Sequence, residues 1–371
     1  MKDTVFSPSF GNRPSCLVGR DAAISCMLDG LEDPPGSRAR ATLLLGQRGS
    51  GKTVLLWELA DRARDLGFVV ASPTIATEDM LERIIEKIQD DGERHVREKA
   101  THLTGGSIGV LGFSAGFQFD RNEQEPKTFH YKLSRLCDAL SQHDKGVLIL
   151  IDEIQGNDPR IRQLVAAYQE LVGKRANVAL VMAGLPGAVS ATLNDRVLTF
   201  LNRASKLKLD PLAPVDVDAF FMKAFAQLNL DVPESFRRRA VSATFGSPYL
   251  LQLVGHNIVA YSEEGTIGED ALERALAYAK NSFENDVCGT TLAALSDKDV
   301  CFLSAMTEDA RESRIADVAE RMGVTYDYAQ KYRRRLIDGG IIEPARRGSI
   351  RFAVPYLADH LRRTGEIDYG F

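Results

Sequence analysis

The sequence predicts a three-layer α/β fold on a parallel sheet, from three observations. An apolar run at residues 41–45 leads straight into GQRGSGKT at 46–53, which opens a helical pattern. A second apolar run begins at Gly146 and ends in the acidic pair Asp152 and Glu153. Around these, strand-like and helix-like stretches alternate from 41 to about 210, the pattern of a parallel sheet covered on both faces.

The first loop has the spacing G-x-x-x-x-G-K-[ST] between a strand and a helix, the context in which that spacing binds phosphate. Gly46, Gly49, Ser50 and Gly51 allow the backbone to turn its N–H groups inward at a positive helix end. Lys52 is then placed for the β- and γ-phosphates and Thr53 for Mg²⁺. The second run supplies the partner: Asp152 for the Mg²⁺ shell, and Glu153 to polarise an attacking water. Together they predict a P-loop ATPase that uses ATP or ADP with Mg²⁺.

Composition narrows the remaining classes. The chain has 371 residues, enough for two or three domains, and 44% hydrophobic content. Its net charge of −5 advertises no global affinity for nucleic acid, so any basic patch is local. Five dispersed cysteines without a C-x-x-C argue for reduced thiols and against zinc. No apolar segment is long enough to span a bilayer and the start lacks a signal core, so a cytoplasmic location with no membrane partner is expected.

Residues 1–38 read as an irregular strap carrying LVGRD at 17–21 and a short helix, broken by DPPGS at 33–37. The core is expected over 39–210, with strands at 41–45, 67–72, 146–152, 177–183 and 206–209. Helices are expected at 77–100, 127–143 and 159–173, besides the one opened by the loop. The glycine-rich stretch 104–120 reads either as an inserted hairpin, a candidate partner contact, or as a loop. After Pro211 strands stop, and four helices punctuated by Pro and Gly make a lid over 211–290.

Residues 291–371 read as helix, helix, turn, helix and hairpin, a winged helix-turn-helix. In its third helix Ala329, Tyr332 and Leu336 face inward, while Asp327, Gln330, Lys331 and Arg334 share the other face. Arg335 is spaced to pair with Asp338. With Arg346, Arg347 and Arg351 of the hairpin, residues 328–351 hold seven basic against two acidic side chains. One reading sends Gln330, Lys331 and Arg334 into the major groove of double-stranded DNA while the wing arginines meet phosphate. The other docks the unit on protein.

With loop, acidic pair, lid and winged helix in this order, the chain resembles archaeal origin-recognition-type AAA+ ATPases and their bacterial STAND-like relatives. The resemblance rests on LVGRD, GQRGSGKT and LIDEIQ at 150–155, and less on VMAGLPG at 181–187 and FGSPYLLQLVG at 245–255. It implies that Val18 and Gly19 flank adenine and that Pro248 packs near the base or ribose. Arg203 matches an arginine that neutralises the γ-phosphate in the relatives, with Arg196 as the other candidate. Two departures favour slow turnover: the fourth strand ends in Ala183, Gly184 and Leu185 with no polar sensor, and no arginine adjoins Gly246 or Pro248. The function implied is a nucleotide-controlled switch that positions the winged helix on DNA. The alternative is a STAND-type signalling ATPase whose output is self-assembly or a protein partner.

Overall fold

The computed structural model describes residues 3, 5–8, 13–14, 16–75, 77–103, 128–156, 158–193 and 198–365. The glycine-rich stretch at 104–120 and Arg196 lie outside them. Five strands form one sheet in the order β2-β3-β4-β1-β5: β1 (Ala41–Leu45), β2 (Phe68–Ile75), β3 (Gly146–Asp152), β4 (Val178–Gly184) and β5 (Ser205–Lys208). Every pairing is parallel. The two central strands β3 and β4 are buried along their whole length, which is why they read as unbroken apolar runs.

Successive residues of each strand supply opposite faces. Leu43, Val69, Ile149 and Ile151 pack with α3 (Met80–Leu103), α4 (Phe129–Ser141) and α5 (Pro159–Gly173). Leu44, Val70, Leu148 and Leu150 pack with α1 (Asp21–Glu32) and α2 (Lys52–Asp65). A short α6 (Pro186–Leu193) follows β4. The result is a three-layer parallel-sheet P-loop core.

Beyond β5 come the helices α7 (Pro214–Gln227), α8 (Glu234–Ala243), α9 (Pro248–Tyr261) and α10 (Glu269–Phe283). A π-helical turn, Glu284–Gly289, continues α10 into the short α11 (Thr290–Ala293). The C-terminal unit contains α12 (Asp297–Met306), β6 (Ser313–Arg314), α13 (Ile315–Arg321), α14 (Tyr326–Asp338), β7 (Ile342–Pro344), β8 (Ser349–Phe352) and α15 (Leu357–Thr364). Its strands pair antiparallel in the order β6-β8-β7, β6 being an addition to the expected hairpin.

Ala329, Tyr332 and Leu336 are buried on the inner face of α14, as their spacing predicts. Arg335 differs from expectation. It reaches Asp299 of α12, with Nε 2.9 Å from Oδ1, and not Asp338. Asp299 is buried and also closes the capping box with Ser296 at the start of α12, so it is the carboxylate in greater need of a cation.

The helical unit and the C-terminal unit share one continuous hydrophobic core, from Leu212, Phe221 and Leu250 through Phe283 and Phe302 to Leu361. Tyr356 sits across their junction: its ring meets Phe245 and Phe283, and its hydroxyl donates to the Ala243 carbonyl at 2.8 Å. The same block touches the sheet core at the end of α14. A methyl on Gly187 would overlap the Asp338 carbonyl, and one on Gly340 would overlap Gln47 Oε1 of the phosphate loop.

Candidate nucleotide-binding site

The carboxyl ends of β1 and β3 face one cavity of about 780 Å³, walled on its far side by α9 and the π-helical turn. The loop after β1 bends back into α2 with Gly49 at φ +73° and Gly51 at φ +86°, a conformation that glycine adopts at little cost and that strains residues with a Cβ. Lys52 Nζ donates to the carbonyls of Gly46 (2.9 Å) and Gln47 (2.8 Å) across the loop mouth. Burial lowers its pKa, and Asp152 and Glu153 oppose that shift. A lysine held this way is desolvated and hydrogen-bonded to neutral carbonyls, the state that an entering phosphate relieves.

Thr53 Oγ1 donates to Asp152 Oδ2 at 2.6 Å. These are the two oxygen ligands expected of a Mg²⁺ site, and hard oxygen donors suit that ion. Asp152 Oδ1 accepts the Glu153 N–H at 2.9 Å, and Glu153 adopts φ +54° at the strand exit. That left-handed backbone turns an exposed carboxylate into the cavity beside a buried one. Ser50 Oγ is buried without a partner among the described residues, a further vacancy for a polar ligand atom. The donor set therefore fits a nucleotide phosphate chain with Mg²⁺.

Of the other residues singled out by sequence, Val18 and Pro248 line the cavity. Pro248 Cγ lies 3.7 Å from the Cβ position of Gly51, so α9 starts directly on the phosphate loop. Gly19 is not among the lining residues and packs instead against Leu212 and Asp216. Arg203 is exposed in the turn Thr199–Arg203, just before β5. Ser205 pairs with Thr42, so Arg203 sits at the amino end of the sheet, opposite the phosphate loop. The chain does not bring it to its own site.

The end of β4 has a steric reason to lack a polar side chain. A Cβ on Gly184 would lie 2.7 Å from Ile154 Cγ1, while the Gly184 carbonyl accepts Gly46 N–H at 3.2 Å. Sequence reasoning missed several cavity residues. Tyr249 donates its hydroxyl to Asp286 in the π-helical turn at 2.7 Å, and burial and that carboxylate raise its pKa. Arg20 is buried with Nη2 3.3 Å from the Ser50 carbonyl, its pKa lowered by burial. Trp57 and Gln252 were missed too, and the signal that could have found them is spacing: each lies one turn beyond a recognised residue, Thr53 and Pro248.

The six side chains expected to face DNA, five basic and one amide, divide into two groups. Arg351 pairs with Glu343 (Nη2 at 2.6 Å), Arg346 approaches Glu312 at 3.7 Å, and Gln330 Nε2 donates to Tyr326 Oη at 2.7 Å. Lys331, Arg334 and Arg347 are exposed and have no ion-pair partner among the described residues.

Fold and site define a P-loop NTPase. Residues 16–181 match the family model described as AAA ATPase domain, and residues 285–361 match a domain of unknown function, DUF8462. The chain is similar in structure to the Walker-type ATPase PABY2304 of Pyrococcus abyssi, at 19% identity and a TM-score of 0.68, with 94% of this chain and 97% of that one covered. It is also similar to the ORC2 protein of Aeropyrum pernix in its ADPNP–ADP complexes, at 14% identity and a TM-score of 0.62 over 96% and 95% of the two chains. Cdc6p of Pyrobaculum aerophilum matches at 15% identity and a TM-score of 0.52, over 98% and 96%. No curated protein matches the chain in sequence.

Proposed function

We propose that this chain is an ATP-binding, slowly hydrolysing switch of the origin-recognition type, which uses nucleotide to set the presentation of a C-terminal winged helix to double-stranded DNA. Gly46, Gly49, Ser50 and Gly51 cradle phosphate, Lys52 neutralises it, and Thr53 and Asp152 hold Mg²⁺. The ion, when bound, offsets charge on the phosphate oxygens. Glu153 accepts a proton from the attacking water. The absent polar group at the end of β4, and a Tyr249–Asp286 pair where an arginine would speed transfer, support slow turnover. Arg203, exposed at the far end of the sheet, can reach a γ-phosphate only in another copy, which supports self-assembly as the state for hydrolysis.

One observation carries the switch: the helical unit that walls the nucleotide cavity through Pro248 and Tyr249 has a common core with the C-terminal unit. A shift of α9 over bound nucleotide therefore moves α14 with it. Lys331, Arg334 and Arg347 are the free cations of the DNA face. A duplex titration with ATP analogue or ADP, at two salt concentrations, tests this. Affinity is expected to differ between nucleotides and to fall with salt. Binding left intact by Arg334→Ala with Arg347→Ala would sink the DNA reading. The Gly187–Asp338 and Gly340–Gln47 contacts favour a second reading, a STAND-type switch held closed on its core. Nucleotide-dependent assembly without duplex affinity would select it.

A further inference from the structure

We infer that Gln252 reads the base of the bound nucleotide, presenting a side-chain N–H donor to a purine ring nitrogen, with the N-terminal strap fixing its orientation. This rests on the nucleotide-site reading above and extends it to the end of the cavity farthest from the phosphate loop. Two helices define that direction. On α2, Trp57 stands one turn beyond Thr53; on α9, Gln252 stands one turn beyond Pro248, which packs on Gly51. Both climb from the phosphate end to a region closed by Pro8, Leu17 and Val18. Arg13 lies over the Trp57 ring at 5.4 Å and pairs with Asp61, which clips the strap to α2. Phe6 anchors the strap on the other side, in the aromatic cluster of Phe220, Phe221 and Phe225 and against Gly255.

At this end of the cavity Gln252 is a polar side chain only 9% exposed. Its Oε1 accepts the Ser7 N–H at 2.8 Å. A backbone N–H can only donate, so the oxygen of the amide must face Ser7. The NH₂ group is thereby turned away from the strap, and Nε2 has no partner among the described residues. Gln252 lines the cavity, so this open donor is placed to meet a ligand acceptor. Purine ring nitrogens are such acceptors. A pyrimidine, with a single ring, extends less far from the ribose and leaves Nε2 unmet. The Ser7 N–H thus decides which end of the Gln252 amide is left to read the base.

The test is calorimetric titration of the full chain with MgATP and MgCTP, for the parent protein, Gln252→Glu and Gln252→Met. Gln252→Glu keeps an oxygen for the Ser7 N–H and replaces the donor by a carboxylate oxygen; the effect of the added charge on the phosphates is common to both nucleotides and is read from CTP. Gln252→Met removes both while keeping the length. The parent is expected to prefer ATP, and both variants to lose about five- to tenfold in ATP affinity with CTP affinity changed less than twofold. Gln252→Glu binding ATP as tightly as the parent would overturn the assignment, as would equal weakening of both nucleotides, which would place the contact at the ribose. A parent that binds ATP and CTP equally overturns the base-reading role alone. A parent that binds neither removes the nucleotide site itself.

Discussion

The parallel sheet divides the interior of the N-terminal region into two separate hydrophobic halves, whereas the helical and C-terminal units pool theirs into one. In the first region each strand sends Leu43-like and Leu44-like residues to opposite sides, so the apolar faces of the two helix layers stay apart and α2 meets α3 at the sheet edge, through Arg64 and Asp91. In the second, α7–α10, α12–α15 and the strands β7 and β8 all contribute to a single cluster. The difference separates two jobs. On the proposed function, the divided region would hold the catalytic groups at strand ends while the pooled one moves as a body over them.

The largest expected effect tests whether chemistry belongs to the divided region alone. Lys52→Ala or Glu153→Gln should lower ATP turnover by about two orders of magnitude or more. Neither should shift the thermal transition, and a shift would mean that the catalytic groups also hold the fold. Next is the pooled core. Phe221→Ala, at a fully buried ring, should cost about 3–5 kcal/mol. Hydrogen exchange should then rise together over 214–283 and 297–361. Protection that persists in the second stretch would break the single-body account.

A smaller change separates the two regions without unfolding either. Gly187→Ala forces a methyl against the Asp338 carbonyl and should cost about 1–3 kcal/mol, spent at the contact. Exchange at 338–340 should increase while that of β3 and β4 stays slow. The smallest effect lies within the C-terminal unit. Hydrogen bonding to Arg321 holds the Asp309 carboxyl below its ordinary value of 3.8. Its contribution is thus present above that pH and is lost as pH falls through the folded value. Asp309→Asn should flatten the acid limb of stability between pH 4 and lower values, to a degree read from melts at several pH values.

Much of the divided region was legible because its signals are local. Strands 41–45 and 146–152 and the helix at 159–173 coincide with β1, β3 and α5, since an apolar run bounded by glycine or acid fixes both ends of such elements. Thr53 and Asp152 met as expected, 99 residues apart, because strand order sets that pairing. What was not legible depends on tertiary placement. Arg335 has Asp338 within helical reach, yet the buried Asp299 of another helix takes it, and nothing in the local spacing reveals burial. Arg203 precedes a strand, and only its register with β1 shows which end of the sheet it occupies. The common core of the two C-terminal units was hidden for the same reason: periodicity gives the apolar stripe of each helix, not the helix that it meets.

The C-terminal unit meets the sheet core at two glycines: a methyl on Gly187 of α6 would run into the Asp338 backbone, and one on Gly340, at φ +68°, into the side-chain end of Gln47 in the phosphate loop. Release therefore needs bulk, not charge. A genetic screen for variants that act without nucleotide should return small-to-large replacements at these two positions, and polar changes on the exposed face of α14 should be missing from it. Recovery of surface charge changes with the two glycines untouched would show that the hold is electrostatic instead.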